Sequence, residues 1–207
     1  MICTVKLFLW CAPHSAHEDL CDNSPVKIQQ HHDYYRSRWL RKPFASGAFG
    51  AWLIETGSLT ARLQQRYANF SVFTVRLHDA KPLNDESLLL KSKPCKFALV
   101  REVLLLGDYQ PVVFAHSVLP RGSLRGPWQG LGKLGNKPLG ATLFANPKVK
   151  RTPLSYKKLF PNHALYRSAV FHLAQKPAYL WARRSVFHLS CANILVTEVF
   201  LPQLLDQ

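Results

Sequence analysis

Titratable side chains stand inside stretches that are otherwise strongly apolar, and three of them mark where this sequence could do chemistry. Glu198 lies in residues 194–201 (ILVTEVFL), Arg101 in residues 97–106 (FALVREVLLL) and His116 in residues 111–119 (PVVFAHSVL). Side chains alternate along a strand, so Ile194, Val196, Glu198 and Phe200 would share one face, apolar except for the carboxylate. A carboxylate on a buried face must be paired, protonated or used in chemistry, because an unpaired buried charge is costly. On an edge strand the same residue would simply face water, and the pattern leaves both readings open. Arg101 is either a strand-surface arginine whose stem covers apolar neighbours, or a fork that grips a carboxylate with two parallel hydrogen bonds. For His116 a satisfied structural imidazole is the first reading, and a ligand or base the second.

Two further patterns invite a chemical reading and do not sustain it. Cys11, His14, His17 and Cys21 form C-x2-H-x2-H-x3-C, residue types that zinc accepts. The spacing matches no standard finger and Pro13 interrupts it, so the cluster is read as coincidental and no metal site is expected. Residues 126–144 (GPWQGLGKLGNKPLGATLF) are glycine-rich but form neither GxGxxG before a helix nor a Walker loop. They predict two short helices around a glycine-flanked loop at 136–140, where backbone can approach a ligand and the segment can open as a flap.

The elements that must position Arg101, His116 and Glu198 are two hairpins. Residues 97–106 and 111–119 flank the turn-rich GDYQ at 107–110, and residues 185–190 and 194–201 flank the polar break 191–193. Ahead of them, residues 49–54 predict a short helix closed by Gly57, and Ser58 is placed to cap a second helix starting at Leu59. The period then changes at residues 70–77 (FSVFTVRL), which read as a strand followed by a polar loop over 79–86. Residues 163–174 predict an amphipathic helix. Helices set around strongly apolar hairpins argue for an α+β domain on an antiparallel sheet.

The chain has 207 residues, long enough for one packed domain with an appendage. Residues 1–43 are polar and aperiodic and end in a basic run, so they are read as an N-terminal extension, flexible in character, with residues 44–207 as the domain. The net charge of +15 attracts anions. The basic residues are scattered rather than gathered into a stripe, which argues against a nucleic-acid partner. Five cysteines without a CxxC pair suggest free thiols in a reducing compartment. The apolar run near the start is short for a secretory leader, and no stretch reaches the roughly 20 apolar residues of a membrane span. A cytoplasmic location without membrane insertion is therefore expected.

Taken in order, LVREVLLL (99–106), SVLP (117–120), LGKLGNKPLG (131–140), LWARRS (180–185) and LVTEVFLP (195–202) together resemble the chorismate lyase family. The resemblance runs from about residue 44 to 204 and omits the first 43 residues. It implies a single α+β domain with a mainly antiparallel sheet of about six strands covered by helices, in agreement with the pattern above. It also implies removal of pyruvate from chorismate to give 4-hydroxybenzoate, in ubiquinone biosynthesis, by a monomer that needs no cofactor. Carried over by position, the substrate-binding residues fall on Leu59, Arg101, Leu139 and Glu198, with Arg101 and Glu198 catalytic. His116 is a possible secondary contact that departs from the family pattern, since an arginine is expected there. The alternative is a ligand-sensing effector domain of the same fold without catalysis, which would ordinarily be joined to a DNA-binding domain that residues 1–43 are too short to supply.

Overall fold

The computed structural model describes residues 38–91 and 96–206. Residues 1–37, where most of the expected extension and the Cys/His cluster fall, lie outside the described residues. Seven strands form one antiparallel sheet: β1 (Phe70–Ala80), β2 (Ala98–Gly107), β3 (Gln110–Pro120), β4 (Lys150–Arg151), β5 (Ser155–Leu159), β6 (Leu180–Leu189) and β7 (Ala192–Phe200). The spatial order is β1-β2-β3-β7-β6, and both β4 and β5 pair with β6 along its outer edge. The sheet is thus six strands wide, its last position shared by two short segments.

Both expected hairpins form, and each is longer than its apolar run. The β2–β3 turn is Asp108-Tyr109, with φ of 45° and 69°, the doubly left-handed geometry that matches strand twist. The β6–β7 turn is Ser190-Cys191, with Ser190 at φ 53°. In these central strands nearly every position is buried on both faces, so the sequence reads as continuous apolar runs.

Helices cover the two faces unequally. On one face lie α1 (Gly50–Ile54), α2 (Leu59–Arg66) and α5 (Leu139–Ala145). They contribute Trp52, Leu53, Leu59, Leu63, Leu139 and Leu143 to the core against Val103, Leu105, Phe187 and Phe200. The other face is covered by α6 (Ala164–Val170), whose Leu165, Tyr166, Ala169 and Val170 pack on Leu104, Phe114, Ala182 and Val199. Ser58 caps α2 as expected, its Oγ accepting from the backbone N–H of Ala61 at 3.3 Å.

Three local expectations are corrected. The polar stretch read as a loop over 79–86 instead extends β1 to Ala80 and begins α3 (Asn84–Leu89), because Glu86 reaches back to accept from the backbone N–H of Leu83 at 2.9 Å and starts the helix. The helix expected over 163–174 is shorter, Ala164–Val170, with His163 Nδ1 accepting from the N–H of Leu165. Within 126–137, turns and a single 3-10 turn at Leu131–Lys133 replace the first expected short helix, while a short α4 (Arg121–Leu124) precedes them.

Candidate functional site

A cavity opens between the sheet and α2 and α5, lined among others by Leu59, Arg101, Ala115, Leu139, Arg151 and Glu198. Register explains the grouping. Arg101 opposes Ser117 across β2–β3, and Ala115 opposes Glu198 across β3–β7, so Arg101 and Glu198 share a face with one strand between them and a two-residue offset. Strand spacing and rise place their Cα atoms roughly 12 Å apart. Both side chains therefore reach into one space from different strands.

Glu198 is half-buried and anchored. Across β6–β7 it opposes Arg183, whose Nε donates to Oε2 at 2.5 Å. Arg183 is 0% exposed, and its Nη1 donates to the carbonyls of Trp52 at 2.8 Å and Glu55 at 2.6 Å at the end of α1. The carboxylate is therefore paired, not facing water, and Oε1 remains for a ligand.

Arg101 is 3% exposed, and burial pulls its guanidinium below the ordinary value. Its Nη2 donates to the carbonyls of Gly135 at 2.8 Å and Lys137 at 2.9 Å, while its buried Nε has no partner. A buried unsatisfied donor on a charged group is costly, so this atom marks where an anion would be favoured. The same loop is tied to β1 by Thr74, which donates through its Oγ1 to Gly135 O at 3.0 Å and through its N–H to Asn136 Oδ1 at 3.2 Å. Gly135 has φ 52°, a conformation that glycine adopts without strain.

Leu59 and Leu139 are the first residues of α2 and α5, both buried over the cavity. The two helices approach so closely that a Cβ on Gly140 would lie 3.0 Å from Thr60 Oγ1. Open room inside is about 40 Å3. A bare benzene ring is accommodated in a cavity of about 150 Å3, so a ring-sized ligand requires the segment around Leu139 to swing outward.

His116 is not brought into this cavity. The Asp108-Tyr109 turn alone would set Arg101 opposite His116, but a register shift between Leu105 and Leu106 makes Val112 an extra residue and turns His116 to the opposite face. There it is buried between two carboxylates, with Nδ1 3.1 Å from Glu102 Oε1 and Nε2 3.3 Å from Glu86 Oε1. The second contact is an ion pair outside hydrogen-bond geometry. Burial opposes charging the imidazole, and the hydrogen bond to Glu102 together with the negative charges of Glu86 and Glu102 outweighs it, raising the pKa to about 9.

Arg151 was not singled out by the sequence as a site residue. It lines the cavity from β4, its Nε donating to Ser185 Oγ at 2.7 Å and its Nη1 to Thr56 O at 2.9 Å. The available signal was its membership of the basic run 148–151, which gave its charge but not its place. Among the described residues no group of three or more His, Cys, Asp or Glu could hold a metal, and the cavity offers only one carboxylate to such an ion.

The described helices include none long and apolar enough to cross a membrane. The fold is similar to the effector domain of PhnF from Mycobacterium smegmatis, with a TM-score of 0.50 and 15% identity over 71% of this chain and 90% of that one. It is also similar to PhnF itself from that organism, with a TM-score of 0.52 and 15% identity over 72% of this chain and 66% of that one. In sequence, the chain is 47% identical to the probable chorismate pyruvate-lyase of Methylobacillus flagellatus, over 82% of this chain and 96% of that protein. It is likewise 47% identical to the probable chorismate pyruvate-lyase of Thiobacillus denitrificans, over 81% of this chain and 90% of that one. Residues 35–207 match the family model described as chorismate lyase. The chain belongs to the chorismate lyase family.

Proposed function

We propose that the chain is a chorismate pyruvate-lyase that converts chorismate to 4-hydroxybenzoate and pyruvate, the first committed step toward the ubiquinone ring. It works as a cytoplasmic monomer without metal or organic cofactor. The observation that carries this reading is the placement of Arg101 and Glu198 on one face, with β3 between them, under the cover of Leu59 and Leu139.

In the reaction the ether bond between ring and enolpyruvyl group breaks, and hydrogen leaves the hydroxyl-bearing ring carbon. The enolpyruvyl methylene becomes the methyl of pyruvate, so the atoms balance without an added reagent. Aromatisation drives the step, and the protein's task is to hold a reactive geometry and keep water out. Arg101 holds the ring carboxylate by charge-assisted hydrogen bonds, for which its buried Nε is unpartnered. Glu198, fixed by Arg183 through Oε2, meets the ring hydroxyl through Oε1. The net charge of +15 raises the encounter rate for a dianion.

The test is to incubate the pure protein with chorismate and assay both products. Equal amounts of 4-hydroxybenzoate and pyruvate are expected. The fold shared with the PhnF effector domain favours a second reading, a ligand-sensing protein without catalysis. Tight chorismate binding with no pyruvate released would select that reading.

A further inference from the structure

Arg151 is the residue of the cavity that the reading above leaves without a task. Two of its nitrogens are anchored, Nε on Ser185 and Nη1 on Thr56, so its guanidinium has a fixed place on the cavity wall. Its planar head lies beside two aromatic rings, 5.2 Å from the Phe187 centroid and 5.6 Å from that of Phe144. Its Nη2 carries no hydrogen bond among the described residues. Ser185 neighbours Val196 across β6–β7, so the anchor lies in the same row of the sheet as Ser117 and Arg101. Arg151 and Arg101 thus face the cavity from opposite sides of the sheet face, and Glu198 lies between them in strand order.

Charge balance gives this arrangement a meaning. The cavity wall carries Arg101, Arg151 and Glu198, and the charge of Glu198 is matched by Arg183 directly behind it. Two cations are left without a partner carboxylate, on a wall whose other side chains are apolar apart from the hydroxyls of Thr60 and Ser117. Arg183 cannot take the second role, because it is 0% exposed and does not line the cavity. Partly buried guanidinium groups recover their desolvation cost only when they meet anions, and a rigid fork suits a carboxylate. A ligand with two separated carboxylates fits two such cations, and a monocarboxylate satisfies one.

Resting on the lyase reading of this site, we propose that Arg151 binds the enolpyruvyl carboxylate of chorismate, while Arg101 binds the ring carboxylate. Arg151 thereby selects the dicarboxylate substrate over the monocarboxylate product. Once the ring–ether bond has broken, the carboxylate held by Arg151 belongs to pyruvate, and 4-hydroxybenzoate keeps no contact with it. The two products are then held by different arginines and can leave independently.

The experiment measures binding by isothermal titration, for 4-hydroxybenzoate in the wild type, Arg151→Met and Arg151→Lys, and for chorismate in the same three chains carrying Glu198→Gln to suppress its consumption, together with steady-state turnover. Loss of one charge-assisted contact should weaken chorismate roughly 10- to 150-fold in Arg151→Met. Affinity for 4-hydroxybenzoate should stay within about threefold. Arg151→Lys should recover part of the chorismate affinity and controls for folding, checked by a matching thermal transition. Equal loss of affinity for both ligands, or no loss for either, would overturn the assignment. If the wild type binds chorismate but releases no pyruvate, the lyase reading fails while the titrations still decide the role of Arg151. Failure of the wild type to bind chorismate at all would overturn both.

Discussion

Arg183 Nε and Glu198 Oε2 lie 2.5 Å apart across directly opposed positions of β6 and β7, and the arginine half of the pair is completely buried. The pair joins the sheet to the end of α1 through the carbonyls of Trp52, Leu53 and Glu55. Removing Arg183 leaves three acceptors and a carboxylate without their donor. Arg183→Met is expected to cost about 3–5 kcal/mol of stability. Urea denaturation of the variant checks this, and a loss under about 1 kcal/mol would show that water replaces the guanidinium.

Glu198→Gln keeps the shape of the side chain and removes its charge. A carboxyl group that assists hydrogen movement at the hydroxyl-bearing end of the ring contributes about 10²- to 10⁴-fold, so kcat should fall within that range. The measurement is kcat across pH on protein shown to be folded. Full kcat with unchanged pH dependence would remove Glu198 from the chemistry and leave it as the partner of Arg183.

Gly140 lets α5 lie against α2, since an added Cβ would stand 3.0 Å from Thr60 Oγ1. Gly140→Ala should hold the Leu139 segment off the cavity and raise the KM for chorismate roughly fivefold, about 1 kcal/mol at the low end of overpacking costs. Adding Thr60→Ala to the same chain should restore the KM. An unaltered KM in the single variant would show that Thr60 rotates aside freely.

On the far face, the Glu86–His116–Glu102 cluster links α3 to β2 and β3. Arg76 on β1 adds positive charge beside Glu102. The His116 pKa of about 9 lies above the ordinary 6.5. A folded-state value above the unfolded one gives a contribution that is complete below the unfolded value and is lost as pH rises through the folded value. Stability should therefore decline between pH 6.5 and about 9, by about 3 kcal/mol from this group. Denaturation midpoints across that range should show the decline in the wild type and not in His116→Gln.

How much of this was legible in the sequence depended on pattern length. The two long hairpins were readable because three of their four runs extend over eight or more residues and all break at turn residues. β5 was not, because SYKKL places two lysines in five residues, and its Lys157 is nonetheless buried against the sheet. Alternation correctly grouped Ile194, Val196, Glu198 and Phe200, but it could not tell an exposed face from a covered one. That difference was made by α1, α2 and α5, whose docking is not encoded in the strand itself. The position of His116 was lost to one extra residue at Val112, which reverses every side chain beyond it. Arg151 was hidden for another reason: a two-residue strand after a loop has no periodicity to read.

A crystal structure with 4-hydroxybenzoate tests most directly whether one ligand is held between Arg101 and Glu198. The ligand carboxylate should lie within hydrogen-bond distance of the Arg101 guanidinium, with the phenolic hydroxyl at Glu198 Oε1 and Leu59 and Leu139 closed over the ring. A ligand bound on the His116 face of the sheet, or one with its carboxylate turned toward Glu198 and Arg151, would contradict it.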